Sequence, residues 1–180
     1  AHAWTNILFN NYFFLGISIF AVFFVALQHV AEAGWSTVIK RVPEAIMTYL
    51  PYACAVMLFI VVAALMHWNH IYHWLAPGIM DPHDAHYDKI IAGKEAYLSP
   101  IFFLVRSVIY IAVWLYCAKR LRDLSLQGDL EGEIGKKAYN KGITVSAWFI
   151  VFFAVSSSMA SWDWIMSIDT HWFSTLFGWY

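Results

Sequence analysis

The sequence predicts an all-α membrane protein, a polytopic four-helix bundle. Two observations carry that prediction. Residues of the AVILMFWYC set make up 61% of the 180 positions and charged residues only 13%. A soluble domain carries roughly 25% charged residues, and a small one buries too little surface to hide so much apolar side chain. The charges are also clustered, leaving four long stretches nearly free of Lys, Arg, Asp and Glu.

The first stretch has no such residue before Glu32, and its span runs over about residues 7–30, beyond the roughly 20 apolar residues a bilayer requires. A secretory signal has a basic start and a shorter apolar core, which this segment lacks. The second span covers about 46–70, with a kink expected at Pro51 because proline removes a helix donor. Ser99 and Pro100 form an N-cap and first-turn pair opening the third span, about 100–119. The fourth covers about 143–163, and residues 164–180 read as an interfacial segment leading to a further span outside this chain. Residues 1–180 form one transmembrane domain in this reading, a piece of a longer polypeptide.

Lys40, Arg41, Lys119, Arg120, Arg122, Lys136, Lys137 and Lys141 fall in the two loops on one side, against only Lys89 and Lys94 on the other. The positive-inside rule makes the first side cytoplasmic and puts both chain ends outside. A formal charge of −1 gives no basic excess for nucleic-acid binding. Cys54 and Cys117 form no CxxC pair, so cysteine-ligated zinc or iron–sulfur sites are not expected.

Three features carry candidate chemistry. His67 and His70 flank Trp68-Asn69, and on a helix they lie about 60° apart on one face. They read either as proton-carrying, quinone-bonding imidazoles or as interfacial residues at a helix end. A bis-His haem is not expected, because His29 and His67 fall at opposite ends of their spans. Arg106 lies six residues past Pro100, about 9 Å into its helix. An arginine at that depth costs at least ~2.5–3.5 kcal/mol. It therefore seeks a partner among His67, His70, Asp163 and Asp169, or snorkels to the surface. The stretch from Ser161 to Trp172 sets Asp163, Asp169 and His171 among Trp162, Trp164 and Trp172. Trp68 and these three fit an interfacial aromatic belt, which leaves the carboxylates unexplained. Asp163 reads as a partner for Arg106 or a proton acceptor, and Asp169 with His171 as either part of the same cluster or a solvated turn. The Asp81–Asp88 loop holds His83 and His86 but no visible supporting shell, and no metal site is expected there.

At these residues the sequence resembles the F-subunit (ActF) family of bacterial alternative complex III, within the wider NrfD/PsrC-like membrane proteins. The resemblance runs through Ala33-Gly34-Trp35-Ser36, His67-Trp68-Asn69-His70, Asp88-Lys89-Ile90-Ile91-Ala92-Gly93-Lys94, Tyr97-Leu98 and Phe102-Phe103-Leu104-Val105-Arg106. Its most specific part is Ser161 to Asp169 and His171 to Tyr180. Thr170 stands where the family pattern has proline, and the His83/His86 pair is not shared. The resemblance implies half of a ten-helix subunit in the bacterial inner membrane, belonging to a quinol:electron-acceptor oxidoreductase. It implies menaquinone or ubiquinone as the mobile carrier and no cofactor held by this chain. Haem c and iron–sulfur clusters would reside in partners: a multihaem cytochrome c, an iron–sulfur subunit and a paralogous NrfD-like subunit. Lipids, and a terminal oxidase as acceptor, complete the implied surroundings. His67, His70, Arg106, Asp163, Asp169 and His171 become candidates for quinol or proton handling. The competing roles are a structural anchor for the redox subunits and an ion-translocating subunit.

Overall fold

The structure is a computed structural model and describes residues 2–81, 83–84, 86–130 and 133–179. Its described residues are helical or irregular, with no strand among them. The α-helices are α1 (His2–Val30), α2 (Arg41–Ile46), α3 (Leu50–Leu65), α4 (Lys89–Ala92), α5 (Pro100–Gly128) and α6 (Glu133–Trp164). Four helical segments are long and apolar enough to cross a membrane: α1, Arg41–Leu65, α5 and Gly135–Ile168. The fold class is the predicted one, an all-α chain consistent with a four-helix membrane bundle.

Helix ends explain where the element boundaries fall. After α1, Glu32 adopts φ 47° while its N–H bonds His29 O, and Ala33 N–H reaches back to Gln28 O. This is the Schellman closure, which satisfies the last carbonyls of a helix. The same device ends α3. His67 has φ 58°, His67 N–H donates to Ala64 O, and Trp68 N–H donates to Ala63 O. The expected helix through residue 70 therefore stops at Leu65, and His67 and His70 do not share a helix face.

Pro51 cannot donate to Met47, and a 3₁₀ turn at Met47–Tyr49 joins α2 to α3 just before it. Pro100 opens α5, whose first turn includes a bond from Phe103 N–H to Ser99 O. The helix then runs to Gly128, beyond the predicted end near 119, because its basic extension is amphipathic. Leu121, Leu124 and Ser125 are buried there while Leu126 and Gln127 face out. Similarly α6 begins at Glu133 rather than near 143, with Ala138 buried in its first turns. Gly135 has a structural reason: a Cβ there would collide with the Leu130 carbonyl oxygen.

Contacts group the chain into two compact units. Unit one comprises Ala1–Asn10, Val56–Tyr110 and Ser156–Tyr180; unit two comprises Asn11–Ala55 and Ile111–Val155. Unit one centres on Met57, Ile60, Trp74, Phe103 and Trp164, and unit two on Val22, Leu50, Leu121 and Phe149. Only 28–44% of each membrane-length window is buried inside the chain. Phe9, Ile101 and Trp148 are each more than 70% exposed. Apolar surface on that scale requires lipid or a partner rather than water.

Candidate functional site

The polar centre of unit one forms where the first turns of α5 meet the last turn of α6. Arg106 is 5% exposed and Asp163 fully buried. Arg106 Nε donates to Asp163 Oδ2 and Nη2 to Oδ1, both at 2.8 Å. This is the planar, bidentate match between guanidinium and carboxylate. The remaining Nη1 donates to Tyr97 O at 3.1 Å, and the guanidinium lies 4.0 Å and 4.2 Å from the ring centroids of Tyr97 and Phe102. Tyr110, one turn along α5 from Arg106, donates its hydroxyl to Asp163 Oδ2 at 3.2 Å. An arginine that would otherwise snorkel is thus held inward by charge, hydrogen bonds and two aromatic faces.

A second layer fixes the carboxylate's backbone. Trp164 is fully buried; its indole N–H donates to Ser107 Oγ at 2.9 Å, and its carbonyl accepts from the Tyr72 hydroxyl at 3.1 Å. Ser167 donates to Asp163 O at 2.5 Å. Three phenols consequently surround Asp163 from three parts of unit one. Those of Tyr72 and Tyr97 lie outside the membrane-length helices. Burial first, and then the negative charge of Asp163, pushes both well above the ordinary tyrosine range. Tyr97 Oη and Trp162 Nε1 are buried with no hydrogen-bond partner among the described residues.

The structure joins only part of the predicted cluster. Arg106 and Asp163 come together; His67, His70, Asp169 and His171 do not join them and are exposed. His67 and His70 line a cavity of about 300 Å³ with Asn69, Tyr72 and His73, and His67 also borders one of about 370 Å³ beside Trp74 and Pro100. Tyr72 links the smaller cavity to the carbonyl next to Asp163. Asp169 instead closes a local turn, accepting from His171 N–H at 3.1 Å. His171 pairs with Asp88 at 2.7 Å. Asp88 also caps α4, accepting from Ile90 N–H at 2.8 Å and Ile91 N–H at 3.3 Å. Against slight desolvation, those amides and the His171 imidazole hold the Asp88 carboxyl below its usual range.

Of the expected belt tryptophans, Trp68 and Trp172 are exposed and Trp162 half-buried, whereas Trp164 belongs to the core. Its indole needs a buried acceptor, and Ser107 supplies one. Among the described residues, no three His, Cys, Asp or Glu side chains converge as a metal would require. Pro82 and Ala85 of the Asp81–Asp88 loop lie outside the described residues. Tyr110 was readable as a partner from its i+4 spacing to Arg106; Tyr72 and Tyr97 come from either side of α4, without such a signal.

Four apolar helices make the chain a multi-pass membrane protein. It matches no protein-family model and no curated protein.

Proposed function

We propose that this chain is a membrane subunit of a quinol:electron-acceptor oxidoreductase of the alternative complex III type. In this reading the Arg106–Asp163 centre handles quinol or the protons quinol releases. The observation that carries it is a buried bidentate ion pair ringed by the phenols of Tyr72, Tyr97 and Tyr110. Ionisable groups inside a membrane span are expensive, and their usual justification is a substrate or proton route. Oxidation of a quinol to a quinone releases two electrons and two protons. The electrons pass to haem c or iron–sulfur clusters in partner subunits. The protons need acceptors at a low-dielectric boundary, where carboxylate, phenol and imidazole groups can act in series. The cavity beside His67 and His70 leads to Tyr72, and Tyr72 donates to the backbone carbonyl of Trp164, the residue after Asp163. The ends of this piece face the periplasm of a bacterial inner membrane, following its basic loops.

One observation favours the anchor reading instead: both Asp163 oxygens are already occupied by Arg106 and Tyr110. Asp163→Asn in the intact complex separates the two. If the centre handles protons, quinol turnover per assembled complex falls by about 10²-fold. Lower assembly with unchanged turnover per complex would overturn the proton role and leave the anchor.

A further inference from the structure

Unit two contains a second polar environment that the Arg106–Asp163 centre does not use. A cavity of about 200 Å³ is bounded by residues of α1, the turn after it, α2, α5 and α6. Phe24, Val25, Pro43, Leu124 and the ring of Tyr139 provide apolar wall, and Gln28, His29, Glu44 and Ser125 provide polar groups.

The charges at this cavity are compensated. Glu44 is 3% exposed, yet Arg41 Nη1 donates to its Oε2 at 2.5 Å and the Ser125 hydroxyl donates to its Oε1. Lys40 donates to Asp129 at 2.6 Å. Among the described residues that line the cavity, a charged occupant would therefore find no unpaired counter-charge, and it would bear its full desolvation cost.

The Ser36 and Thr37 hydroxyls donate to Ala33 O and Gly34 O, which leaves Gln28, His29 and the Tyr139 hydroxyl to bind something. His29 Nδ1 donates to Val25 O at 2.9 Å, which in an uncharged ring makes Nε2 the acceptor. Space beside that ring depends on Gly142, where a Cβ would lie 3.1 Å from His29 Cδ2 and 3.4 Å from Nε2. The Gln28 amide, which supplies both a donor and an acceptor, makes no side-chain hydrogen bond among the described residues.

We infer that this cavity binds a neutral hydroxylated ring, the head group of a quinol. The ring hydroxyl donates to His29 Nε2 and accepts from the Gln28 amide, with the ring against Phe24, Pro43 and Leu124. The volume is below the ~300–1,000 Å³ of pockets that hold whole drug-sized ligands, so it suits a single ring and not an isoprenoid tail. The identity of the ring rests on the quinol reading above; the cavity's polarity does not.

The test is photolabelling of the full-length protein, in its native complex and membrane, with an azido-substituted short-chain ubiquinol kept reduced under anaerobic conditions. Label is expected in peptides covering residues 24–44 or 124–142, and excess unlabelled decylubiquinol should suppress it. His29→Phe and Gln28→Leu should each reduce it by about fivefold per assembled complex, the loss of roughly one hydrogen bond. Label that is absent there, survives competition, or is undiminished in both variants overturns the inference. Label near Arg106 alone would leave the proposed function standing without this site. Label in unit two alone would support this site and count against quinol binding at the Arg106–Asp163 centre.

Discussion

Arg106 and Asp163 account for each other. Neither side chain could remain in the interior of unit one alone, since removing one partner of a buried pair strands the other at a cost of about 3–5 kcal/mol. Asp163→Asn therefore tests stability as well as turnover, and the two must be measured on the same preparation. Ser107 offers a cleaner probe of the supporting layer. It is fully buried and accepts the Trp164 indole N–H. Ser107→Ala removes that acceptor and should cost about 1–3 kcal/mol, read as a lower melting temperature of the purified protein. If Asp163 depends on Trp164 for its position, turnover falls too; an unchanged melting temperature would show that the bond contributes little.

At the scale of elements, the sequence was informative where a periodic pattern met a capping signal. Pro100 was legible for that reason, and so was the pairing of Arg106 with Asp163. The helix stop at His67 was not, because left-handed caps are normally written with glycine and here a histidine takes the position. The extensions of α5 to Gly128 and α6 from Glu133 were hidden too, because hydropathy marks the bilayer and not the helix that protrudes from it. Asp88 illustrates an element held by one carboxylate, which caps α4 and pairs with His171. Its carboxyl binds a proton less readily in the folded chain than in the unfolded one. The contribution is therefore complete at neutral pH and disappears as pH falls below about 4. The melting temperatures of wild type and Asp88→Asn should differ at pH 7 and converge at low pH. A constant difference across that range would mean that the charge of Asp88 is immaterial.

For the whole molecule, the four membrane-length helices divide the connecting segments between two sides of a bilayer. With Cys54 and Cys117 buried, single cysteines replacing Thr37, His83, Gln127 and Thr175 report that arrangement, all four positions being exposed. A membrane-impermeant maleimide should label the His83 and Thr175 positions from the side opposite the basic loops. The Thr37 and Gln127 positions should react only after permeabilisation. Any other grouping would overturn the orientation derived from the basic loops. The apolar fraction foretold the environment correctly, but composition carries no directional information about the site. The tyrosines around Asp163 arrive from either side of α4, as Tyr72 and Tyr97, and from α5, a convergence that only the folded chain displays.

The left-handed backbone at His67 has a practical consequence. An L-residue there bears a conformational penalty of roughly 1–2 kcal/mol that glycine does not. For most residues near a proposed site, deleting the side chain weakens the protein and confounds any loss of activity. At this position the two effects have opposite signs: His67→Gly should raise the melting temperature while emptying one wall of both neighbouring cavities. A drop in quinol turnover in a more stable protein would therefore report on the imidazole itself. Equal turnover would reduce His67 to a helix terminator whose side chain happens to be basic.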